Sequence, residues 1–349
     1  MKRTILILLF FSLLASCELG GGPGGADPQA PGLTILSPTM VSETSLQLNW
    51  TVVSPAGAQS IAVELSEDSE MQHITQYVDV GDISSDHVLL SNLKGATRYY
   101  YRISFMADGI SIYRSDIASA ETLYQLDNIE LTTDDSYTLS GKLAYLESVS
   151  GSRPGIIMMH EFGVWVNPWI GSELMQQLVA EGYVCLTFFF RGHGSSDPVD
   201  DLMDLVNDKS LLANDLKASV DFMKELELVT PDELGLMGGS MGAIMALAGN
   251  GYQEVKTSVA LSPTRDGVFV IFPQMTLSSA YYLVGEQDVH PDIPGGDFPA
   301  ETQALYEMTE EPRKLDIIEG TADHGTSLLS RDALNASIKE WILERLPVK

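Results

Sequence analysis

A strand, a tight turn and a helix follow one another without a break over residues 232–248, and this stretch constrains the fold more than any other. The apolar run 234–237 predicts a strand, and the run of small residues that starts at Ala243 predicts a helix. Between them the chain reads Gly-Gly-Ser-Met-Gly over residues 238–242. Glycines two residues before and after Ser240 leave room for a sharp turn, as in a nucleophile elbow. A catalytic serine and a purely structural turn are both compatible with this pattern alone.

Strand and helix patterns alternate along the whole second part of the chain, residues 126–349. Ser172 is a predicted N-cap and Gly182 a predicted stop for one amphipathic helix. Apolar strands that alternate with helices predict a mostly parallel sheet with helices on both faces. Catalytic groups in such a fold belong in the loops beyond the carboxyl ends of the strands. The predicted strands lie at 155–159, 183–190, 234–237, 257–261, 280–284 and 315–318, and predicted helices lie at 172–181, around Leu212–Met223 and around Leu334–Ile342.

Reactive side chains occupy the loops after successive strands. The segments are 160–163 (His-Glu-Phe-Gly), 191–196, the turn with Ser240, 285–288 and 320–326. Ser240, Asp288 and His324 appear in the order serine, acid, histidine, each after a different strand. This set of loops resembles the α/β-hydrolase superfamily, and within it the dienelactone-hydrolase-like serine hydrolases. The chain departs from cysteine-dependent members in having Ser240, and it has Phe189 where the family often has aspartate, which we attribute to loop packing.

The resemblance assigns a role to each of these residues. Ser240 would be the nucleophile, because a serine hydroxyl attacks once a base removes its proton. His324 would be that base, and Asp288 would orient it and stabilise its protonated form. Backbone N–H groups of Met241 and Phe162 would form the oxyanion hole. Asp266, after the strand at 257–261, is the alternative acid.

The remaining histidines and acids near these loops have less direct interpretations. His160 ends a buried strand and is interpreted as a hydrogen-bonded packing residue, His193 as a residue that shapes its loop, and His290 as exposed. Asp323 adjoins His324 but points the wrong way to orient it. Glu161 is either a carboxylate near the nucleophile or a salt-bridge partner of Arg191, and we favour the latter. Trp165 and Trp169 either line an acyl or alcohol pocket or pack in the core.

Metal and cofactor motifs are missing from the sequence pattern. No His, Cys or Glu cluster has ligand spacing. The segment Gly192-His-Gly194 lacks the downstream glycine and lysine of a phosphate-binding loop. The sequence therefore predicts neither a metal nor a cofactor.

The first seventeen residues have the pattern of an export signal. Lys2 and Arg3 precede an apolar run, 5–14, that is too short to span a bilayer permanently. The run ends Leu-Ala-Ser-Cys17, which resembles the lipobox of bacterial lipoproteins. The resemblance implies lipidation at Cys17 and a lipid-anchored protein of the bacterial cell envelope, outside the cytoplasm; an ordinary cleaved signal with a chance cysteine is the alternative. Residues 18–32 are rich in glycine and proline and predict a flexible tether.

Residues 33–123 show the period-two alternation of short strands. Stretches 45–52, 61–65 and 87–90 alternate apolar and polar residues, and turn clusters separate them. This predicts an antiparallel β-sandwich. Trp50 in the second strand and the corner before Tyr99 resemble a fibronectin type III domain. Its expected role is spacing, or contact with a protein or glycan.

Charge and loop length narrow the function further. The formal net charge of −28 argues against nucleic acid or an anionic membrane surface as a partner. Segment 262–279 is too short for the helical cap of many lipases, so we expect an open site. The expected function is an exported serine hydrolase acting on small or protruding acyl esters, borne by a small molecule or a polymer. A peptidase or amidase of the same fold and an inactive surface-anchored binding protein are the alternatives.

Overall fold

The computed structural model describes residues 31–252, 255–265, 267–268, 276–291 and 295–349. The chain forms two compact units, one from residues up to Leu93 with Arg98–Thr122, and one from Lys94–Thr97 with Leu123–Lys349. The predicted signal peptide and Cys17, most of the predicted tether, and the alternative acid Asp266 lie outside the described residues. Among the helices that the structure describes, none has the length and apolar character needed to cross a membrane.

The first unit is built only of strands in its described part. The strands are β1 Gly32–Ser42, β2 Ser45–Ser54, β3 Ser60–Ser66, β4 Gln76–Asp79, β5 His87–Ser91, β6 Arg98–Ala107, β7 Ile110–Arg114 and β8 Ala118–Glu121. One sheet has the order β1-β2-β5, and a second has the order β4-β3-β6-β7 with β8 also paired to β6. One cluster of fully or almost fully buried side chains includes Leu48 and Trp50 from β2 and Ile61 and Tyr101 from the second sheet. The alternation in the sequence thus produces one apolar face per sheet.

The second unit alternates strands and helices around one sheet. The strands are β9 Gln125–Thr132, β10 Thr138–Tyr145, β11 Arg153–Met159, β12 Val184–Phe188, β13 Val229–Gly239, β14 Thr257–Leu261, β15 Ser278–Gly285 and β16 Glu310–Ile318. Their order in the sheet is β16-β15-β14-β13-β11-β12-β10-β9. The six strands β11 to β16 are parallel to one another. The helices are α1 Glu173–Ala180, α2 Asp204–Asn207, α3 Ala213–Glu225, α4 Met241–Tyr252, α5 Phe298–Met308 and α6 Asp332–Arg345, with 3-10 turns at Lys209–Leu212 and Gly325–Ser330.

Two cores lie on opposite faces of this sheet. Along β11, Ile157 and Met159 pack into one core with residues of α3 and α4, while Ile156 and Met158 pack into the other with residues of α1 and α6. A strand buried on both faces has no polar face, which is why its sequence is continuously apolar. The predicted parallel sheet with helices on both faces is confirmed.

Two antiparallel strands at one end of the sheet, β9 and β10, were not predicted. They pair with each other, and β10 continues the sheet antiparallel to β12. Their residues mix exposed polar and buried apolar positions without a long apolar run. Antiparallel strands with one solvated face give a weaker sequence pattern than parallel strands that are buried on both faces.

Candidate active site

Ser240 occupies the turn between β13 and α4 in a conformation that serine seldom adopts. Its φ angle is +50°, in the left-handed region. Its N–H donates to the carbonyl of Leu261 at 2.8 Å, and its own carbonyl accepts from the N–H of Ile244 at 3.0 Å. A non-glycine residue held in this region stores strain, which is common for residues at functional sites. The turn thus has the backbone of the predicted elbow.

The two flanking glycines are required by close backbone approaches. A Cβ at Gly238 would lie 2.3 Å from the backbone of Gly242, and a Cβ at Gly242 would lie 2.2 Å from the carbonyl oxygen of Met159. Met241 is the first residue of α4, where helical N–H groups have no partner within the helix. The glycines therefore let the amino end of α4 pack against the carboxyl end of β11.

Asp288 and His324 are joined directly by a hydrogen bond. His324 Nδ1 lies 2.9 Å from Oδ2 and 3.0 Å from Oδ1 of Asp288. The Asp288 side chain is fully buried, and that of His324 is 29 % exposed. Ser262 Oγ donates to Asp288 Oδ2 at 2.7 Å and accepts the N–H of Gly325 at 3.0 Å. The carboxylate is thus held by the histidine and by a serine that also fixes the histidine loop.

Two aromatic rings enclose His324. The Phe298 ring centroid lies 4.4 Å away and the His290 centroid 5.7 Å away, both edge-on. His290 Nε2 also lies 3.2 Å from Asp288 Oδ1, and its side chain is 47 % exposed, in agreement with the predicted exposure. Asp323, as expected, does not orient His324, because its carboxylate pairs with Arg331 at 2.5 Å.

Glu161 connects the serine turn to the histidine loop. Its Oε1 accepts the N–H of Thr326 at 2.5 Å and also the Thr326 hydroxyl. A Cβ at Gly239, beside Ser240, would lie 2.5 Å from the same oxygen, so the carboxylate packs against the turn. Ser240 and His324 themselves form no hydrogen bond in the part of the chain that is described. Hydrogen bonds between catalytic groups often shorten only when a substrate binds. Glu161, which contacts both the serine turn and the histidine loop, links the two loops.

The predicted pairing of Glu161 with Arg191 was wrong. Arg191 donates from Nε and its backbone N–H to Asp215, and from both terminal nitrogens to Asp135. Arg191 is almost completely buried and pairs with these two carboxylates. Glu161 is instead beside the turn that carries Ser240, which is the alternative that the sequence left open.

Comparisons with known proteins concern the fold of the second unit. Residues 142–311 match the model of the dienelactone hydrolase family. The esterase Pf2001 of Pyrococcus furiosus is similar in structure, with 20 % identity and a TM-score of 0.50, over 64 % of this chain and 94 % of that chain. The second unit has the α/β-hydrolase fold, and it is called the hydrolase domain after that fold.

Other solved structures resemble the hydrolase domain as well. DcsB, solved with a substrate analogue, has 16 % identity and a TM-score of 0.50, over 64 % of this chain and 99 % of that chain. A dienelactone hydrolase from Anabaena variabilis has 17 % identity and a TM-score of 0.49, over 64 % and 99 % of the two chains. No curated protein matches the sequence.

Two neutral histidines shape the loop after β11 in the hydrolase domain. His160 is fully buried; its Nε2 accepts the N–H of Phe190 at 3.1 Å, while Nδ1 donates to the carbonyl of Glu161. His193 repeats the pattern, since Nε2 accepts the N–H of Gly163 at 3.0 Å and Nδ1 faces the carbonyl of Arg191. Burial lowers the pKa of His160 to about 3 and also lowers the pKa of His193. Both side chains have the structural roles predicted for them.

The two tryptophans in this region have different environments. Trp169 is fully buried and donates its indole N–H to the carbonyl of Met159 at 3.0 Å, so it belongs to the core. Trp165 is 65 % exposed and Val166 even more so, and the Trp165 ring lies 6.4 Å from that of His193. Of the two, only Trp165 is accessible to a substrate.

Sequence reasoning missed Ser262 and Thr326 as parts of the site. Ser262 directly follows β14, the same strand-end position that identified the other loops. Its φ of +54° repeats the strained turn of Ser240. Its location directly after a parallel strand could have identified Ser262 from the sequence. The contact of Thr326 with Glu161 joins residues 165 positions apart, so no local sequence pattern indicates it.

Proposed function

We propose that the α/β-hydrolase domain is a serine hydrolase that cleaves carboxylic esters, with Ser240 as nucleophile, His324 as base and Asp288 as the acid that orients it. The observation that carries this proposal is the hydrogen bond between His324 Nδ1 and the fully buried Asp288 carboxylate. The match of residues 142–311 to the dienelactone hydrolase family supports ester hydrolysis.

The proposed mechanism gives each proton a place. Asp288 accepts from Nδ1 of His324, which keeps the proton on that nitrogen and leaves Nε2 as an acceptor. Nε2 then removes the hydroxyl proton of Ser240 as its oxygen attacks the ester carbonyl. The same proton returns to the leaving alcohol when the tetrahedral intermediate collapses, and water repeats the sequence on the acyl-enzyme.

The backbone N–H groups of Met241 and Phe162 are proposed to hold the oxyanion. Met241 begins α4, so its N–H and the positive end of the helix dipole face the turn. Gly163, next to Phe162, is anchored to His193 by its own N–H. Loss of one oxyanion donor typically raises the barrier by about 3–4 kcal/mol.

The proposed substrate is an ester with a small or protruding acyl group. Short segment 262–279 supports an open site, and the exposed Trp165 and Val166 offer apolar surface beside the loop after β11. Assays with p-nitrophenyl esters of increasing acyl length test this. We expect acetate and butyrate to be hydrolysed fastest, with no turnover by Ser240→Ala; a preference for long acyl chains, or for aminoacyl amides, contradicts it.

The identity of the acid is tested with the same esters. Asp288→Asn should lower kcat by about 10⁴-fold. Asp266→Asn is the matched control and should remain active. The reverse result would assign the acid to Asp266.

We also propose that the chain is exported and held by a lipid on Cys17, with the β-sandwich acting as a spacer. The proposal is based on the apolar run 5–14 and the lipobox-like residues before Cys17. Metabolic labelling with a fatty-acid analogue should mark the wild-type protein and not Cys17→Ser. Equal labelling of both proteins contradicts the anchor.

A further inference from the structure

Asp288 is contacted by two histidines, only one of which the proposed reaction uses. His324 Nδ1 lies 3.0 Å from Asp288 Oδ1, and His290 Nε2 lies 3.2 Å from the same oxygen. Ligand atoms of all three side chains lie within 4.8 Å of one another. In the described part of the chain, no other three His, Cys, Asp or Glu side chains are grouped in this way.

Two of the three separations are close to those of ligands around a zinc ion. Zn–N and Zn–O bonds of about 2.0–2.2 Å place tetrahedral ligand atoms roughly 3.3 Å apart. The separations of the two histidine nitrogens from Asp288 Oδ1 are 3.0 and 3.2 Å. The two histidine nitrogens lie within 4.8 Å of each other.

The donor set also selects the kind of metal. Two imidazoles and one carboxylate suit Zn²⁺ and its neighbours in the first transition row, whereas Mg²⁺ and Ca²⁺ favour oxygen ligands. His290 and His324 are partly exposed, so a cation can reach them, while Asp288 is fixed from behind by Ser262. Such support behind a ligand is typical of metal sites.

We propose that Asp288, His290 and His324 form an inhibitory Zn²⁺ site, with water as the fourth ligand. Zinc binds the lone pair of His324 Nδ1, so the single ring proton moves from Nδ1 to Nε2. That nitrogen can then no longer accept the proton of Ser240. Zinc binding and catalysis exclude each other, because both require Nδ1 of the same ring. The inhibition rests on the proposed function, whereas the binding does not.

The lack of a metal motif in the sequence does not conflict with this site. Asp288 and His290 are close in sequence, but His324 lies 36 residues from Asp288. The ligands meet only because β15 and β16 are neighbouring parallel strands whose carboxyl ends lie side by side.

Calorimetric titration with Zn²⁺ alone tests the binding. The protein carries Cys17→Ser, so that this thiol cannot bind the metal, and is first stripped with a chelator. We expect one Zn²⁺ per chain and, with Co²⁺, the visible absorption bands of a tetrahedral site. His290→Gln should weaken binding by at least about tenfold, since even residues behind the ligands contribute 10–100-fold.

His87→Gln is the matched control. His87 is an exposed histidine with Nδ1 2.6 Å from the carboxylate of Asp86, but it has no third ligand among the described residues. This variant should bind Zn²⁺ like the parent. Absence of Zn²⁺ binding, or equal affinity in His290→Gln and the parent, overturns the proposal.

Ester hydrolysis provides the second readout. Zn²⁺ should inhibit the parent and not His290→Gln, each variant being compared with its own rate without metal. Inhibition that persists in His290→Gln overturns the proposed site. If no ester is hydrolysed and Ser240 is not labelled by a fluorophosphonate, the proposed function fails, while the calorimetric result on the metal site still stands.

Discussion

The hydroxyl of Ser262 donates a hydrogen bond to the buried carboxylate of Asp288 at 2.7 Å. Ser262 Oγ also accepts a hydrogen bond from the N–H of Gly325, the residue after His324, at 3.0 Å. One side chain thus fixes the distance between the proposed acid and the loop that bears the proposed base. Ser262 has no place in the transfer of protons from Ser240, so it is a positioning residue.

Ser262→Ala should lower kcat with little change in KM. A hydrogen bond to a charged group contributes about 1.5–3 kcal/mol, which corresponds to roughly a tenfold to hundredfold loss in rate. Ser258→Ala is the matched control, because Ser258 is on the same strand and its buried hydroxyl has no partner among the described residues. Equal losses in both variants would show a packing effect and contradict the positioning role.

His193→Ala should also lower kcat more than it changes KM. The variant leaves the N–H of Gly163 without its acceptor and frees the loop that carries Phe162. We expect a loss of about tenfold, less than the roughly 10²–10³ lost when an oxyanion donor is deleted. His193→Gln, whose side-chain carbonyl can accept the same bond, should restore part of the rate. An unchanged kcat in His193→Ala would remove the loop from the proposed oxyanion site.

Protonation of His160 should destabilise the hydrolase domain as the pH falls. Burial lowers the folded-state pKa of His160 to about 3, against 6.5 for an ordinary histidine. The unfolded chain therefore binds more protons between these values, and stability decreases as pH falls below about 6.5. The maximal slope is about 1.4 kcal/mol per pH unit.

Urea unfolding at pH 7 and pH 5 checks this prediction. The loss of unfolding free energy between the two pH values should be smaller in His160→Gln than in the wild type, since all other titrating groups are shared. In NMR, the His160 ring resonances should not shift between pH 7 and pH 5. A normal titration near pH 6.5 would contradict the neutral, hydrogen-bonded ring.

Asp215→Ala should strongly destabilise the hydrolase domain. Asp215 is fully buried and binds the side chain and backbone of Arg191, which is itself almost completely buried. Removal of Asp215 leaves Nε and the backbone N–H of the buried Arg191 without their acceptor, and only Asp135 still pairs with the guanidinium. Loss of one partner from a buried ion pair costs about 3–5 kcal/mol. Asp221→Ala is the control, since its pair with Lys217 is exposed and should contribute little to stability. Similar urea midpoints for the two variants would contradict this ranking.

The sequence predicts the parts of this molecule that depend on local pattern. Strand β14 has the predicted bounds, and α1 begins after Ser172, whose hydroxyl accepts the N–H of Met175 at 3.2 Å. Gly182, which has a φ angle of +101°, follows the carboxyl end of α1 as predicted. Buried strands and capped helices are readable because their patterns repeat over short distances.

Contacts between distant loops could not be predicted in the same way. A pair between Glu161 and Arg191 is the favoured expectation from the sequence, yet Glu161 bonds to Thr326. Arg191 instead pairs with Asp215 on α3 and with Asp135, which lies between β9 and β10, two strands that have no clear sequence pattern. Partner choice among charged residues depends on loop geometry, which the order of residues along the chain does not specify.

Covalent labelling of Ser240 tests the central proposal most directly. The protein is treated with a fluorophosphonate, digested and analysed by mass spectrometry. A single adduct is expected on the peptide that contains Ser240, none in Ser240→Ala, and slower labelling in Asp288→Asn because His324 loses its orienting carboxylate. Labelling of wild type no greater than that of Ser240→Ala would contradict the proposed role of Ser240 as nucleophile.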